Sequence, residues 1–145
     1  MKAFLRRLLA DEGGQVIVMV AIAMTSLVAV VGLVTDGGLV FAQRRDLQNV
    51  ADAAALAGAM QIDESSYRAS GSVVLDEHAA YRAATGYLED EGDLAYSVVV
   101  RPARVEVLVS RQASTGFLRV VGIDSVEIRA KAMAEPRHGV ASAVP

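Results

Sequence analysis

Residues 15–35 read QVIVMVAIAMTSLVAVVGLVT, 21 positions without a charged side chain. From Val16 to Val34 only Thr25, Ser26 and Gly32 interrupt the apolar run. An α-helix rises 1.5 Å per residue, so about 20 such residues cross the roughly 30 Å hydrocarbon core of a bilayer. The run is apolar on every side and lacks the charged face of a helix lying in the membrane surface. The bland alternative, a buried helix in a soluble domain, needs a large domain around it. The roughly 85 residues that remain are too few for that. The stretch reads as a transmembrane helix.

The flanks set an expected orientation. Lys2, Arg6, Arg7 and the α-amino group precede the span, and Arg44 and Arg45 lie about ten residues past it. A short basic N-terminus before a first span stays in the cytoplasm, which puts the rest of the chain outside. A cleaved secretory signal fits less well. The apolar run exceeds the roughly 7–15 residues of a signal core, and Asp36 separates it from the small-residue site Val40-Phe41-Ala42.

The 145 residues are unevenly composed. Residues 1–60 carry five basic and five acidic side chains, whereas residues 61–145 carry nine and twelve. The net charge of −3, with no concentrated Lys/Arg run, argues against nucleic acid as a partner. The absence of cysteine excludes disulfides, Cys-ligated zinc and a thiol nucleophile.

Helical pattern continues past the span through DGGLVFAQRRDLQNVADAAALAGAMQI. Residues 51–59 hold six alanines, the best helix former. Leu47, Ala51, Ala54 and Gly58 recur at helical spacing on one stripe, and Ala51, Ala55 and Ala59 form an overlapping small-residue row. Such rows let another backbone come close. They fit either a partner helix or this chain's own sheet, and the membrane-proximal part favours the partner. Arg44, Arg45, Gln48, Asn49 and Asp52 lie largely off the stripe. An unbroken helix from Gln15 to Met60 would be about 70 Å long, with Gly32, Gly37 and Gly38 as weak points where a kink or local melt is expected.

Residues 61–75 are Ser-rich and read as a loop. Asp76 looks like an N-cap, opening a helix that runs to the acidic turn Glu89-Asp90-Glu91-Gly92-Asp93. Tyr96, Val98 and Val100 alternate before Arg101-Pro102-Ala103, and Val105, Val107 and Val109 alternate after it, which predicts a hairpin. Ser114 or Thr115 caps a short helix over GFLRVV, stopped by Gly122. Val126, Ile128, Ala130, Ala132 and Ala134 alternate with charged residues as a last strand. The apolar face of three strands needs a cover, for which helix 76–89 and the distal half of the long helix are the candidates. The expected class is α+β: a long membrane-spanning helix continuing into a stalk, then a small pilin-like head of one helix, a short helix and a three-stranded antiparallel sheet. The expected segments are a cytoplasmic N-terminus (1–14), the span (15–35), its Ala-rich extramembrane continuation (36–62), the head (63–134) and a disordered tail (135–145).

The stretch from Gln15 to Met60 resembles the N-terminal domain of TadG-like proteins of the Flp/Tad pilus-assembly system. The residues that carry this are the apolar helix ending in Asp36-Gly37-Gly38, then Arg44-Arg45, Leu47-Gln48-Asn49 and Ala51-Asp52-Ala53-Ala54-Ala55-Leu56-Ala57-Gly58-Ala59. The run from Thr115 through Gly116, Phe117 and Gly122 to Val126 is similar to the segment before the last strand in such proteins. The resemblance implies an envelope protein of a pilus or related secretion machine, akin to the minor-pilin-like TadE and TadG components. It implies other pilus-assembly membrane proteins or pilin-like subunits as partners, alongside the bilayer, in a homo- or hetero-oligomer. Larger members carry an adhesion-type domain; none is expected here, nor its metal site. A major pilin has Glu as the fifth residue of the mature chain. Processing after Gly14 would put Met19 there, so such processing is not expected.

No residue set reads as an active site, and no cofactor or metal is expected. His78 and His138 are far apart in sequence, and His78 reads as a solvated residue at a helix start. The serines lack a nucleophile elbow or phosphate-cradling loop. The acidic run 89–93 lacks calcium-loop spacing and reads as a solvated helix exit. Asp36 either pairs with a partner's Lys or Arg or faces water. The leading reading is a non-enzymatic assembly component acting through helix–helix and head contacts. The rivals are a minor pilin subunit within the filament and, behind it, an anchored extracytoplasmic binding protein.

Overall fold

The computed structural model describes residues 12–136. The basic N-terminal residues Lys2, Arg6 and Arg7, His138 and most of the expected disordered tail lie outside the described residues. The elements are α1 (Glu12–Ala59), α2 (Glu64–Ser70), α3 (Glu77–Asp90), β1 (Ala95–Arg101), β2 (Arg104–Ser114), a 3-10 turn (Leu118–Val121) and β3 (Ser125–Ala134). The class is α+β. By its contacts the chain forms two compact units. One holds α1 up to Leu39 together with Thr115–Asp124; the other holds Val40–Ser114 and the chain from Ser125 on.

In the first unit, Val16, Ile17, Val18, Met19, Ile22, Met24, Leu27, Val28, Val30, Val31, Leu33 and Val34 are all more than half exposed. A helix can present such a surface to lipid because its backbone groups are paired within the segment. Thr25, Ser26 and Thr35 donate their hydroxyls to the carbonyls of Ala21, Ile22 and Val31 four residues back, so the polar interruptions are also satisfied internally.

α1 does not break at its glycines. The expected local melt near Gly32, Gly37 and Gly38 is not seen: the helix is continuous over 48 residues. The propensity cost of about 1 kcal/mol per glycine is small against a cooperative helix extending many turns on both sides. A Cβ at Gly37 or Gly38 meets nothing within 4 Å. Gly37→Ala and Gly38→Ala are therefore expected to stabilise the helix locally by up to ~1 kcal/mol each. Slower amide exchange across residues 35–42 would show it.

The second unit is a three-stranded antiparallel sheet in the order β1-β2-β3. β1 and β2 turn tightly at Pro102-Ala103, with Arg101 opposite Arg104 and Val98 opposite Val107. On β3, Ala132 lies opposite Val107 and Ala130 opposite Val109. One sheet face is apolar, and α1 beyond Val40 and α3 cover it. Leu47, Ala51, Ala54, Ala55 and Ala59 of α1 are buried with Ala80, Ala84 and Leu88 of α3 and Val105, Val107 and Val109 of β2. The three β2 valines have zero exposure, which at about 1.5–3 kcal/mol per buried side chain makes β2 the centre of the core.

The 61–75 loop expectation needs correction, because residues 64–70 are helical. Asp63 caps α2, its carboxylate accepting from the Ser65 and Ser66 amides and both hydroxyls. Gly71 ends it at φ +69, in the left-handed region that favours glycine. None of its residues is buried, so it shows no apolar periodicity. Around it, Asp63 N–H donates to Val74 O (2.8 Å) and Asp76 N–H to Gln61 O (2.9 Å). Asp76 then caps α3 by accepting from the Ala79 amide at 3.0 Å.

Candidate functional site

Among the described residues of the first unit, Asp36 is the best-partnered side chain. It is 1% exposed, although it stands one residue past a 21-residue uncharged run. Its Oδ1 accepts from the Gly116 and Phe117 amides at 2.9 and 3.0 Å, and its Oδ2 from the Leu118 amide at 2.6 Å. These are the free N–H groups at the start of the 3-10 turn, where Phe117 supplies no side-chain cap of its own. A carboxylate some 80 residues upstream does the capping instead. Its charge also suits the positive end of the turn.

Two glycines make room for this clasp. A Cβ at Gly116 would lie 3.0 Å from Asp36 Oδ1, and one at Gly32 would lie 2.7 Å from the Phe117 ring. Phe117 thus rests against α1 one helical turn before Asp36. The segment is then closed on itself. The Thr115 amide donates to Asp124 O (3.2 Å), the Ile123 amide to Leu118 O (3.0 Å) and the Gly122 amide to Arg119 O (3.0 Å). The Thr115 hydroxyl donates to Ile123 O, and Arg119 pairs with Asp124 at 3.2 Å.

Asp36 does not face water as one expectation had it; its carboxylate is taken up by amides of its own chain. A buried carboxylate without donors is costly, and this one has three from its own chain. The signal was present in Asp36-Gly37-Gly38 and Thr115-Gly116-Phe117, but their pairing is a long-range contact that spacing does not show.

The Leu118 amide, and behind it those of Phe117 and Gly116, hold the Asp36 carboxyl below its ordinary 3.8, against the opposing effect of burial. A lowered carboxylate pKa stabilises the folded form above the unfolded value and loses that contribution as pH falls through the folded one. Protection of the three amides, corrected for intrinsic exchange, should therefore hold from neutral pH to about 4 and fall below that. Asp63, held at about 2 by the Ser65 and Ser66 hydroxyls, should release α2 as pH falls from about 4 through about 2.

The six stripe positions Leu47, Ala51, Ala54, Ala55, Gly58 and Ala59 are all buried in the second unit. A Cβ at Gly58 would lie 3.0 Å from Ala80 O and 3.2 Å from both Val105 methyls, so glycine here permits contact with α3 and β2 together. Of the two fits left open for the stripe, these residues occupy the one against the chain's own sheet. Close approach is served from both sides, by alanines on α1 and by Ala130 and Ala132 on β3.

The polar motif positions divide. Gln48 Nε2 donates to Lys131 O at 3.0 Å and to Asp52 Oδ1 at 3.1 Å. Asp52 thus orients an amide that satisfies a carbonyl of the edge strand β3, where an open backbone group would invite pairing with another chain. Arg44, Arg45 and Asn49 are exposed, and Gly37 is half-buried. His78 is exposed. Glu89 accepts from the Tyr96 hydroxyl at 3.2 Å, and the acidic run closes α3 with Gly92 at φ +87. Among the described residues no group of three His, Asp or Glu side chains is placed to hold a metal ion.

No curated protein and no solved structure matches the chain. Residues 14–61 match the model of the Tad family, "Putative Flp pilus-assembly TadE/G-like". That span begins with the uncovered apolar helix and takes in Asp36, the Gln48–Asp52 pair and the alanines that meet the sheet. Over residues 14–61 the chain is therefore similar to the TadE/G-like proteins of Flp pilus assembly.

Proposed function

We propose that the protein is a non-enzymatic, single-pass membrane component of Flp/Tad-type pilus assembly or related secretion machinery, with its N-terminus inside and its sheet-bearing part outside. The observation that carries this is an uncovered apolar helix lying within the TadE/G-like match. An assembly role asks for an anchor, a rigid folded part and accessible contact surface. The apolar face of 16–34 offers helix–helix contacts in the bilayer. Since the stripe is occupied by the chain's own sheet, contacts outside fall to side chains that stay exposed, such as Arg44, Arg45, Leu56 and Met133. The expected partners are other pilus-assembly membrane proteins or pilin-like subunits.

Cross-linking and co-purification of the full chain from native membranes tests this. The expected result is an alkali-resistant membrane protein that brings pilus-assembly components with it, and loss of piliation on its deletion. A chain that washes off the membrane, or a deletion with normal pili, contradicts the proposal. A mature mass beginning at Gln15, with the protein in sheared filaments, would make it a minor pilin instead.

A further inference from the structure

The clasped segment 115–124 presents an apolar tip that the fold does not use. Val120 is 86% exposed and Val121 72%, while Phe117 and Ile123 are each nearly half exposed. In water this is an unfavourable surface for a ten-residue connection between two strands. Its place in the chain suggests a different solvent. Phe117 rests on Gly32, which lies two residues inside the apolar run ending at Val34, about 3 Å below its end along the helix.

We infer that the tip formed by Phe117, Val120, Val121 and Ile123 is seated in the lipid bilayer, at the interface on the Asp36 side of the span. This rests on reading residues 16–34 as a membrane span. Non-helical backbone enters a membrane only when its polar groups are paired within the protein. Most of the segment's amides meet that condition. The Gly116, Phe117 and Leu118 amides donate to Asp36, and those of Thr115, Val120, Gly122 and Ile123 donate to carbonyls within the segment. Its only two charged side chains, Arg119 and Asp124, pair with each other, and the long Arg119 stem can carry the pair to headgroup level. The apolar surface is continuous with that of the span through the Phe117–Gly32 contact. Lipid is therefore the occupant that the contact itself brings to the tip. Asp36, in this arrangement, holds a second membrane contact beside the first.

The chain contains no tryptophan, so a single Trp reports its own surroundings. The full chain would be reconstituted in phosphatidylcholine nanodiscs as Val121→Trp, Val120→Trp and, as a mid-span reference, Val28→Trp. Lipids brominated near the top or near the end of the acyl chain act as quenchers. The expected result is blue-shifted emission from the Val120→Trp and Val121→Trp chains, lost to shallow bromines, and emission from the Val28→Trp chain lost to deep ones. Deep quenching at position 28 with water-like, unquenched emission at 120 and 121 overturns the inference and leaves the span intact. Blue-shifted emission at 120 and 121 that no bromine quenches also overturns it, showing a protein in place of lipid. Absence of quenching at all three positions overturns the span and this inference together.

Discussion

Replacing Asp36 by alanine is expected to accelerate amide exchange at Gly116, Phe117 and Leu118 by about ten- to hundredfold, with little change in β1 and β2. The carboxylate is the partner of all three amides, and each loses its acceptor at once. A buried donor without an acceptor carries its full desolvation cost, which far exceeds the net gain from an ordinary hydrogen bond. The segment should therefore open more often, exposing Arg119 to trypsin. Asp36→Asn should fall between, because one carboxylate oxygen becomes an NH2 group facing N–H donors. Gly32→Ala should open the same segment from the other side, since its Cβ would lie 2.7 Å from the Phe117 ring. Unchanged exchange in both Asp36→Ala and Gly32→Ala would show that the clasp does not hold the segment.

Ala55→Leu is expected to destabilise the folded second unit by about 1–3 kcal/mol with no partner present. Ala55 is 1% exposed, and the core around it is filled by Val105, Val107 and neighbouring alanines. Leu47→Ala should cost more, about 2–5 kcal/mol, by leaving a cavity at a fully buried position. Asp52→Ala should be milder, loosening only the Gln48 contact with Lys131. A thermal melt of the full chain in detergent orders the three. If Ala55→Leu melts like the unsubstituted chain yet blocks assembly, the stripe is a partner surface and its packing on the sheet is wrong.

What the sequence showed and what it hid follow from the range of the interactions involved. The long apolar helix, the Asp76 cap and the alternating valines of the hairpin are local patterns, and each appears where expected. β2 was harder. It runs on to Ser114, but Arg111 breaks the alternation. Arg111 stands opposite Ile128 and reaches out to Glu91 O at 3.3 Å. α2 escaped notice because it buries nothing, though Asp63 and Gly71 marked both its ends. The use of the alanine stripe depended on which surface it meets, a tertiary fact that periodicity leaves open. Asp36 was visible as an anomaly, a lone carboxylate at the edge of an apolar run. Its partners are amides some 80 residues away, and backbone donors carry no signature in side-chain identity.

In the proposed arrangement α1 serves two environments, lipid over 16–34 and the chain's own sheet over 47–59. Hydrogen exchange of the full chain in lipid nanodiscs, followed through increasing denaturant, tests this most directly. The amides of 47–59 and those of 105–113 are expected to open in a single cooperative step, while 16–34 stays protected beyond it. Exchange of 47–59 at lower denaturant than β2, as a helix unfolding by itself, would contradict it.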